Sequence, residues 1–321
     1  MNAELRDIPV LLAPMAGITD LPFRQLVQRF GATLVTSEMV AGSDLLNARP
    51  GTLERAELGL GAERSAVQLA GREPEPMGEA ARMLEAQGAQ IIDINMGCPA
   101  KKVTSGASGA ALMRDPSLAL RIVEAVVGAV QAPVTLKMRL GWDTDALNAP
   151  DLARRFEGAG ITRLAIHGRT RQQFYKGQAD WGAIARTVEA VTIPVIANGD
   201  ITCARTACAA LRASGAAGVM VGRGAQGRPW LLAQIAAALN GTTGPHVPHG
   251  AALVDLVTGH HDAMLSFYGR DLGVRVARKH LGWYMDAAGT PGPLRRHILT
   301  QTDPNALHAA LPDALAQRQA A

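Results

Sequence analysis

The stretch Gln90-Ile91-Ile92-Asp93-Ile94-Asn95-Met96-Gly97-Cys98-Pro99 decides how this chain is read. It opens as an apolar, β-branched run and closes on an amide, a glycine, a thiol and a proline. A core strand has no use for that ending. A strand of a parallel sheet does, because α/β sheets and barrels collect their chemistry at the carboxyl ends of their strands. Cys98 is therefore expected as a reactive side chain at the mouth of such a sheet.

Seven further runs have the same form: Val10 to Ala13, Thr33 to Thr36, Ala66 to Leu69, Val134 to Lys137, Arg163 to Ile166, Pro194 to Ala197 and Gly218 to Val221. Each leads into polar or glycine-rich residues: Pro14 to Gly17, Ser37-Glu38, Met138-Arg139, His167 to Arg169, Asn198 to Asp200, and Gly222 to Gly224 mark the clearest cases. Amphipathic stretches lie between them. Pro74 to Gln87 is one, starting on proline and ending at Gly88, and Pro116 to Val130 is another. Strand–helix alternation argues for a parallel sheet, and eight units argue for closure. The expected class is α/β: a (β/α)8 TIM barrel, which takes roughly 250 residues, followed by a small all-helical C-terminal domain. The barrel is expected over 1–240 and a Gly/Pro/Thr linker over 241–250. The helical unit follows over 251–321, beginning with helices at about Ala251 to Tyr268 and Leu272 to Ala287.

Composition sets weaker limits. The chain has 321 residues, 48% hydrophobic and 19% charged, an ordinary globular balance. The net charge of +4 permits a nucleic-acid partner without demanding one. Three cysteines, Cys98, Cys203 and Cys208, cannot all pair, and neither C-x-x-C nor metal-ligand spacing occurs. The expectation is a reduced, cytoplasmic protein without a metal site, Cys203 and Cys208 being packing residues. No signal peptide and no membrane-length apolar segment is visible. A monomer that needs no protein partner is expected.

Several polar residues sit where a core would exclude them. Lys137 lies inside an apolar strand, and lysines are almost never buried unpaired, so an anion or an electron-rich ring is its expected neighbour. Gln68, between Val67 and Leu69, can both donate and accept, as a heterocycle with alternating C=O and N–H groups requires. His167 ends the next strand after Lys137. Gly222-Arg223-Gly224 and Asn198-Gly199-Asp200 follow the eighth and seventh runs, where barrels often bind phosphate. Together these describe a pocket for a phosphorylated flavin. Cys98 reads as an inert thiol, a nucleophile or a proton donor. No histidine adjoins it, and a thiol of ordinary pKa near 8.5 keeps its proton at neutral pH, so the donor role is favoured. Basic groups at Lys101-Lys102, around Arg169, Arg171 and Lys176, and at Arg223 with Arg228 are expected around the mouth. Arg275, Arg278 and Lys279 share one side of a tail helix, a plausible phosphate track for RNA.

These segments resemble the tRNA-dihydrouridine synthase family, and its bacterial subfamily B most of all. The resemblance runs through Ala13 to Asp20, Ser37-Glu38-Met39, Asp93 to Lys102, His167 to Thr170, Ile196 to Ile201, Gly222 to Ala225 and Ala277 to His280. It implies an FMN-containing barrel and a tRNA-binding tail. FMN contacts would fall on Pro14, Met15, Ala16, Gln68, Lys137, His167, Asn198, Gly199, Asp200, Gly222 and Arg223. Asn95 would touch the target uridine, while Lys101, Arg139, Arg169, Lys176, Arg275, Arg278 and Lys279 would face RNA. The implied reaction turns a D-loop uridine into 5,6-dihydrouridine. NADPH or NADH reduces FMN, a hydride passes to C6, and Cys98 gives a proton to C5. Two alternatives stay open: a dihydroorotate dehydrogenase-like flavoenzyme acting on a free dihydropyrimidine, and a non-catalytic tRNA-binding protein.

Overall fold

The computed structural model describes residues 7–49, 51–57 and 65–316. Within it eight strands form one closed parallel barrel in sequence order. They are β1 (Val10–Leu12), β2 (Leu34–Ala41), β3 (Ser65–Ala70), β4 (Ile91–Met96), β5 (Val134–Arg139), β6 (Arg163–His167), β7 (Val195–Asn198) and β8 (Gly218–Val221). β8 returns to β1 with Val10 opposite Val219 and Leu12 opposite Val221, which closes the ring. Helices cover the outside, as expected for a parallel sheet buried on both faces.

The two-residue period of a strand explains which side chains reach the interior. In β4, Ile92, Ile94 and Met96 belong to the large apolar layer between sheet and helices. Asp93 and Asn95, of opposite parity, therefore face into the barrel. The same reading holds in β5, where Val134, Leu136 and Met138 point outward to that layer and Thr135, Lys137 and Arg139 point inward. Leu11, Ala13, Leu34, Ala165, Ile196 and Met220 form a separate small apolar cluster inside. The interior is thus apolar beside β1, β7 and β8 and polar beside β3, β4 and β5.

Several strands run further than the sequence pattern suggests. β2 continues through Ser37 and Glu38 to Ala41, with a register shift against β3 between Thr36 and Met39. β4 includes Asn95 and β5 includes Arg139. Their polarity marks the side that faces the mouth, not the end of the ladder.

The C-terminal region holds four helices, Ala251–Tyr268, Arg270–Ala288, Gly292–Thr300 and Pro304–Leu315. The ends of the chain at 1–6 and 317–321, and the side chain of Lys102, lie outside the described residues. The tail has its own apolar cluster, including Val257, Met264, Leu281, Tyr284 and Leu311, and Trp230 and Phe30 of the preceding region pack with it. The Phe30 and Trp230 rings meet edge-on at 5.9 Å. His260 and His280 are buried against Phe23, with ring centroids 5.9 and 5.1 Å from it. Burial lowers the His260 pKa to about 3, so the ring is neutral at physiological pH. A second pair, His261 and His308, meets at 2.9 Å near Asp262, a cluster that the sequence spacing did not reveal.

Among the described residues, two polar bonds tie the tail to the barrel. Lys279 Nζ donates to the carbonyl of Gly17. Tyr268 Oη donates to Asp20 Oδ2 at 3.0 Å, while Asp20 Oδ1 caps the helix Leu21–Arg29 by accepting from Phe23 N at 3.0 Å. Burial raises the Asp20 pKa to about 6, against the lowering effect of those two bonds. Tyr268→Phe removes the only donor that the tail gives this carboxylate among the described residues. The expected loss is about 1–2 kcal/mol with the fold retained, measured by urea unfolding.

Candidate active site at the barrel mouth

Two adjoining cavities open at the carboxyl ends of the strands. One, of about 340 Å³, follows the ends of β7 and β8. The other, of about 350 Å³, lies over β3, β4 and β5. Pro14, Met15, Lys137, His167, Tyr175 and Arg223 line both. Asn198, Gly199, Asp200 and Gly222 belong to the first, and Ala16, Gln68, Asn95, Cys98 and Arg139 to the second. The residues expected around a cofactor and those expected around a substrate therefore share one continuous mouth.

The first cavity is built from tight turns and cations. Gly199 has φ +116, and a Cβ there would come within 2.7 Å of Ala179 Cβ and 2.9 Å of His167 Cδ2, so only glycine fits. Trp181 Nε1 holds this turn by donating to Gly199 O at 2.9 Å. Arg223 and Arg228 bring two guanidinium groups to the wall beside Gly222 and Gly224. Backbone turns and arginines in a recess are the donor set that a phosphate group requires.

His167 is buried at the junction of the cavities. Burial, then the positive charges of Lys137, Arg139, Arg169 and Arg223, push its pKa well below the ordinary value. Arg169 Nη1 lies 3.3 Å from His167 Nε2. A guanidinium can only donate, so Nε2 accepts and Nδ1 carries the proton. Lys137 beside it is partly buried. Desolvation and then Arg139 lower its pKa to about 8, while the Asp93 charge opposes that shift.

In the second cavity, Asn95 Oδ1 accepts from the N–H groups of Gly97 at 3.2 Å and Cys98 at 3.0 Å. Cys98 O accepts from Ala110 N at 3.1 Å. These bonds hold the thiol-bearing loop against β4. Gln68 Nε2 donates to Asp93 Oδ2 at 2.7 Å, and Gln68 Oε1 accepts from Asn95 Nδ2 at 2.7 Å. One amide hydrogen on each of Gln68 and Asn95 remains for a ligand.

Two arginines expected to face RNA are buried. Arg169 is 1% exposed and pairs with Asp200, Nη2 to Oδ2 at 2.6 Å and Nη1 to Oδ1 at 3.0 Å, with further donation to the carbonyls of Lys176 and Gly177. Arg139 is 2% exposed and donates to the carbonyls of Gly97, Thr170 and Phe174. Both brace the mouth from inside, because burying a guanidinium demands a full set of acceptors. Lys101 and Lys176 are exposed at the rim. Arg275 and Arg278 line a separate groove of about 400 Å³ on the tail, which Lys279 does not join. Cys203, read as packing, instead begins the helix Ala204–Ser214, its Sγ 3.6 Å from Thr206 Oγ1.

The sequence reading missed Tyr175. Its half-exposed ring lies beneath Arg223, 5.0 Å from centroid to guanidinium carbon, and 5.7 Å from that of Arg139. Phe174 meets it edge-on at 4.9 Å. An aromatic pair in a polar loop that follows a strand end was the available signal.

Comparison with known proteins places the chain in a family. The model of the family "Dihydrouridine synthase (Dus)" matches residues 11–320. The chain belongs to that family. It is 62% identical over 98% of its length to a probable tRNA-dihydrouridine synthase of Rhodobacter capsulatus, covering 97% of that protein. It is also 50% identical over 86% of its length to tRNA-dihydrouridine synthase B of Xanthomonas axonopodis, covering 83% of it. A solved FabK mutant structure from Thermotoga maritima aligns over 70% of this chain and 64% of that one, at 17% identity and a TM-score of 0.44.

Asp200 is partly buried, which alone would raise its pKa, but hydrogen bonds from Arg169 and Ala179 N and the charges of Arg169 and Arg223 hold it below the ordinary value. Asp200→Ala leaves the Arg169 guanidinium buried without its counter-charge. The expected cost is about 2–3 kcal/mol, read as a lowered urea midpoint at neutral pH.

Proposed function

We propose that this protein reduces a uridine in the D-loop of tRNA to 5,6-dihydrouridine, with FMN bound at the barrel mouth and NADPH or NADH as reductant. One observation carries the reading: Cys98 and Asn95 open into the same mouth as Lys137, His167 and the turns of Gly199 and Gly222. The family match supports it, as do relatives that bear the name tRNA-dihydrouridine synthase.

The residues present suit FMN. Arg223, Arg228 and the glycine turns would take the phosphate, and Met15, Gln68, Lys137 and His167 would border the ring. When bound and reduced, FMN supplies the hydride equivalent for uracil C6. Cys98 would deliver the proton to C5 as general acid. The free amide hydrogen of Asn95 would donate to a uracil carbonyl, and fixed donors of this kind stabilise charge that develops during reaction. Arg139 would act by holding the Cys98 loop through Gly97 O. A uracil must leave its stack to reach so recessed a thiol. Lys101 and Lys176 at the rim and Arg275 and Arg278 on the tail would meet phosphates, so binding should weaken with salt. A free dihydropyrimidine would leave these cations without a role.

Loss of dihydrouridine from tRNA of cells lacking this protein, restored by the wild-type gene, is the direct test; unchanged dihydrouridine would overturn the reading. Cys98→Ala should keep FMN and NADPH oxidation while product formation falls about 10²–10⁴-fold, measured by mass mapping of tRNA.

Lys137 gives a pH signature. Its folded pKa is lowered to about 8 from 10.5, so the cation is present below pH 8 and lost above it. A ligand that prefers the cation should bind more weakly as pH rises through this value. FMN affinity, followed by flavin fluorescence, is expected to fall above pH 8 in the wild type and to lose that dependence in Lys137→Met.

A further inference from the structure

Asp93 lines neither cavity of the mouth. It is 6% exposed, on the inward face of β4, opposite Gln68 on β3 and Thr135 on β5. Its two oxygens each accept one short bond, Oδ2 from Gln68 Nε2 at 2.7 Å and Oδ1 from Thr135 Oγ1 at 2.6 Å. Nothing in the proposed chemistry uses it.

We propose that Asp93 is a positioning residue that fixes the donor–acceptor direction of the mouth and thereby seats the Cys98 loop. A side-chain amide can be turned either way, and its neighbours decide which end is N–H₂ and which is C=O. Both Asp93 oxygens accept in the structure, and a carboxylate in its ionised form has nothing to donate. Gln68 must therefore turn its N–H₂ toward Asp93, which leaves Oε1 facing Asn95. Asn95 must answer with its own N–H₂, at 2.7 Å, which turns Oδ1 toward the Gly97 and Cys98 N–H groups. Those two bonds form the turn that carries the thiol. The direction of the chain Asp93–Gln68–Asn95–Cys98 is thus matched at both ends: the Gly97 and Cys98 N–H groups can only donate, and both Asp93 oxygens accept. It also fixes which amide hydrogens of Gln68 and Asn95 are left for a ligand.

Burial raises the Asp93 pKa, against the bonds from Thr135 and Gln68 and the charges of Arg163 and Lys137, which favour the ionised form. Asparagine at this position keeps the size but can present either a donor or an acceptor to Gln68. Where it presents N–H₂ to Gln68, the chain loses a bond at its buried end, and Asn95 holds the Gly97–Cys98 turn less firmly.

The test uses the full chain with Cys203 and Cys208 changed to serine, so that alkylation by iodoacetamide reports on Cys98 alone. Asp93→Asn is expected to raise the alkylation rate severalfold, because the loop loosens, while FMN affinity stays within a few fold. If the proposed function holds, product formation in a single turnover should also fall, by up to about 10²-fold, the scale of a 1 Å misplacement. The alkylation readout does not depend on that function, so the two ideas fail separately. A folded Asp93→Asn protein with an unchanged alkylation rate overturns the proposal. Should this variant not fold, Gln68→Met cuts the same chain while leaving Asp93 its Thr135 bond, and an unchanged alkylation rate there overturns it equally. Thr135→Val leaves the Gln68 bond intact and should not change Cys98 reactivity; a rise equal to that of Asp93→Asn would point to general loosening and reject the directional account.

Discussion

Closure of the sheet through the β1–β8 ladder is the constraint on which the molecule depends. An open eight-stranded sheet would leave two edges and spread its strand ends along a line. Pairing Val10–Leu12 with Val219–Val221 turns that line into a ring, so residues more than two hundred positions apart face one another. Pro14 and Met15 after β1 thereby share walls with Gly222 and Arg223 after β8. The alternation of side chains then sorts each strand into an outer apolar row and an inner row. Where the inner row is polar, beside β3 to β5, it requires partners, and the short bonds among Gln68, Asp93, Asn95 and Thr135 supply them.

Much of this was legible because it violates the rules of a core. Gln68 and Lys137 stand out as polar residues between apolar neighbours, and Cys98 stands out by the turn that follows its strand. The expected range Gly218 to Val221 coincides with β8, and Ala251 to Tyr268 with the first tail helix. Other features carry no local mark. A polar residue at the end of a strand pattern reads as loop, yet Asn95, Arg139 and His167 continue the ladder while facing inward. Charge in a sequence has no direction. Arg139 and Arg169 look like surface cations until the fold shows carbonyls and Asp200 gathered around them. Asp93 was hidden for a related reason: parity, visible only once the layer of helices is placed, separates it from Ile92 and Ile94.

The electrostatics of the mouth follow from the same burial. Lys137, Arg139, Arg169 and Arg223 all act on His167, and Asp200 is the acid that answers Arg169 and Arg223. Arg139 and Arg169 are held by carbonyls and Arg223 by Asp200 and the Tyr175 ring, so these three are in place before any anion arrives. Preorganised charge of this kind needs little rearrangement at the moment of binding. The neutral imidazole among them adds a donor without adding to the repulsion.

The bond from Lys279 to the carbonyl of Gly17 has a bearing on how such proteins can be recombined. Gly17 directly follows Met15 and Ala16, which line the mouth, so a tail helix reaches almost into the reaction chamber. Catalytic barrel and C-terminal helices are therefore not interchangeable modules. A chimera that grafts helices from a distant homologue would have to carry over an amine at the matching turn, or re-engineer the loop it steadies.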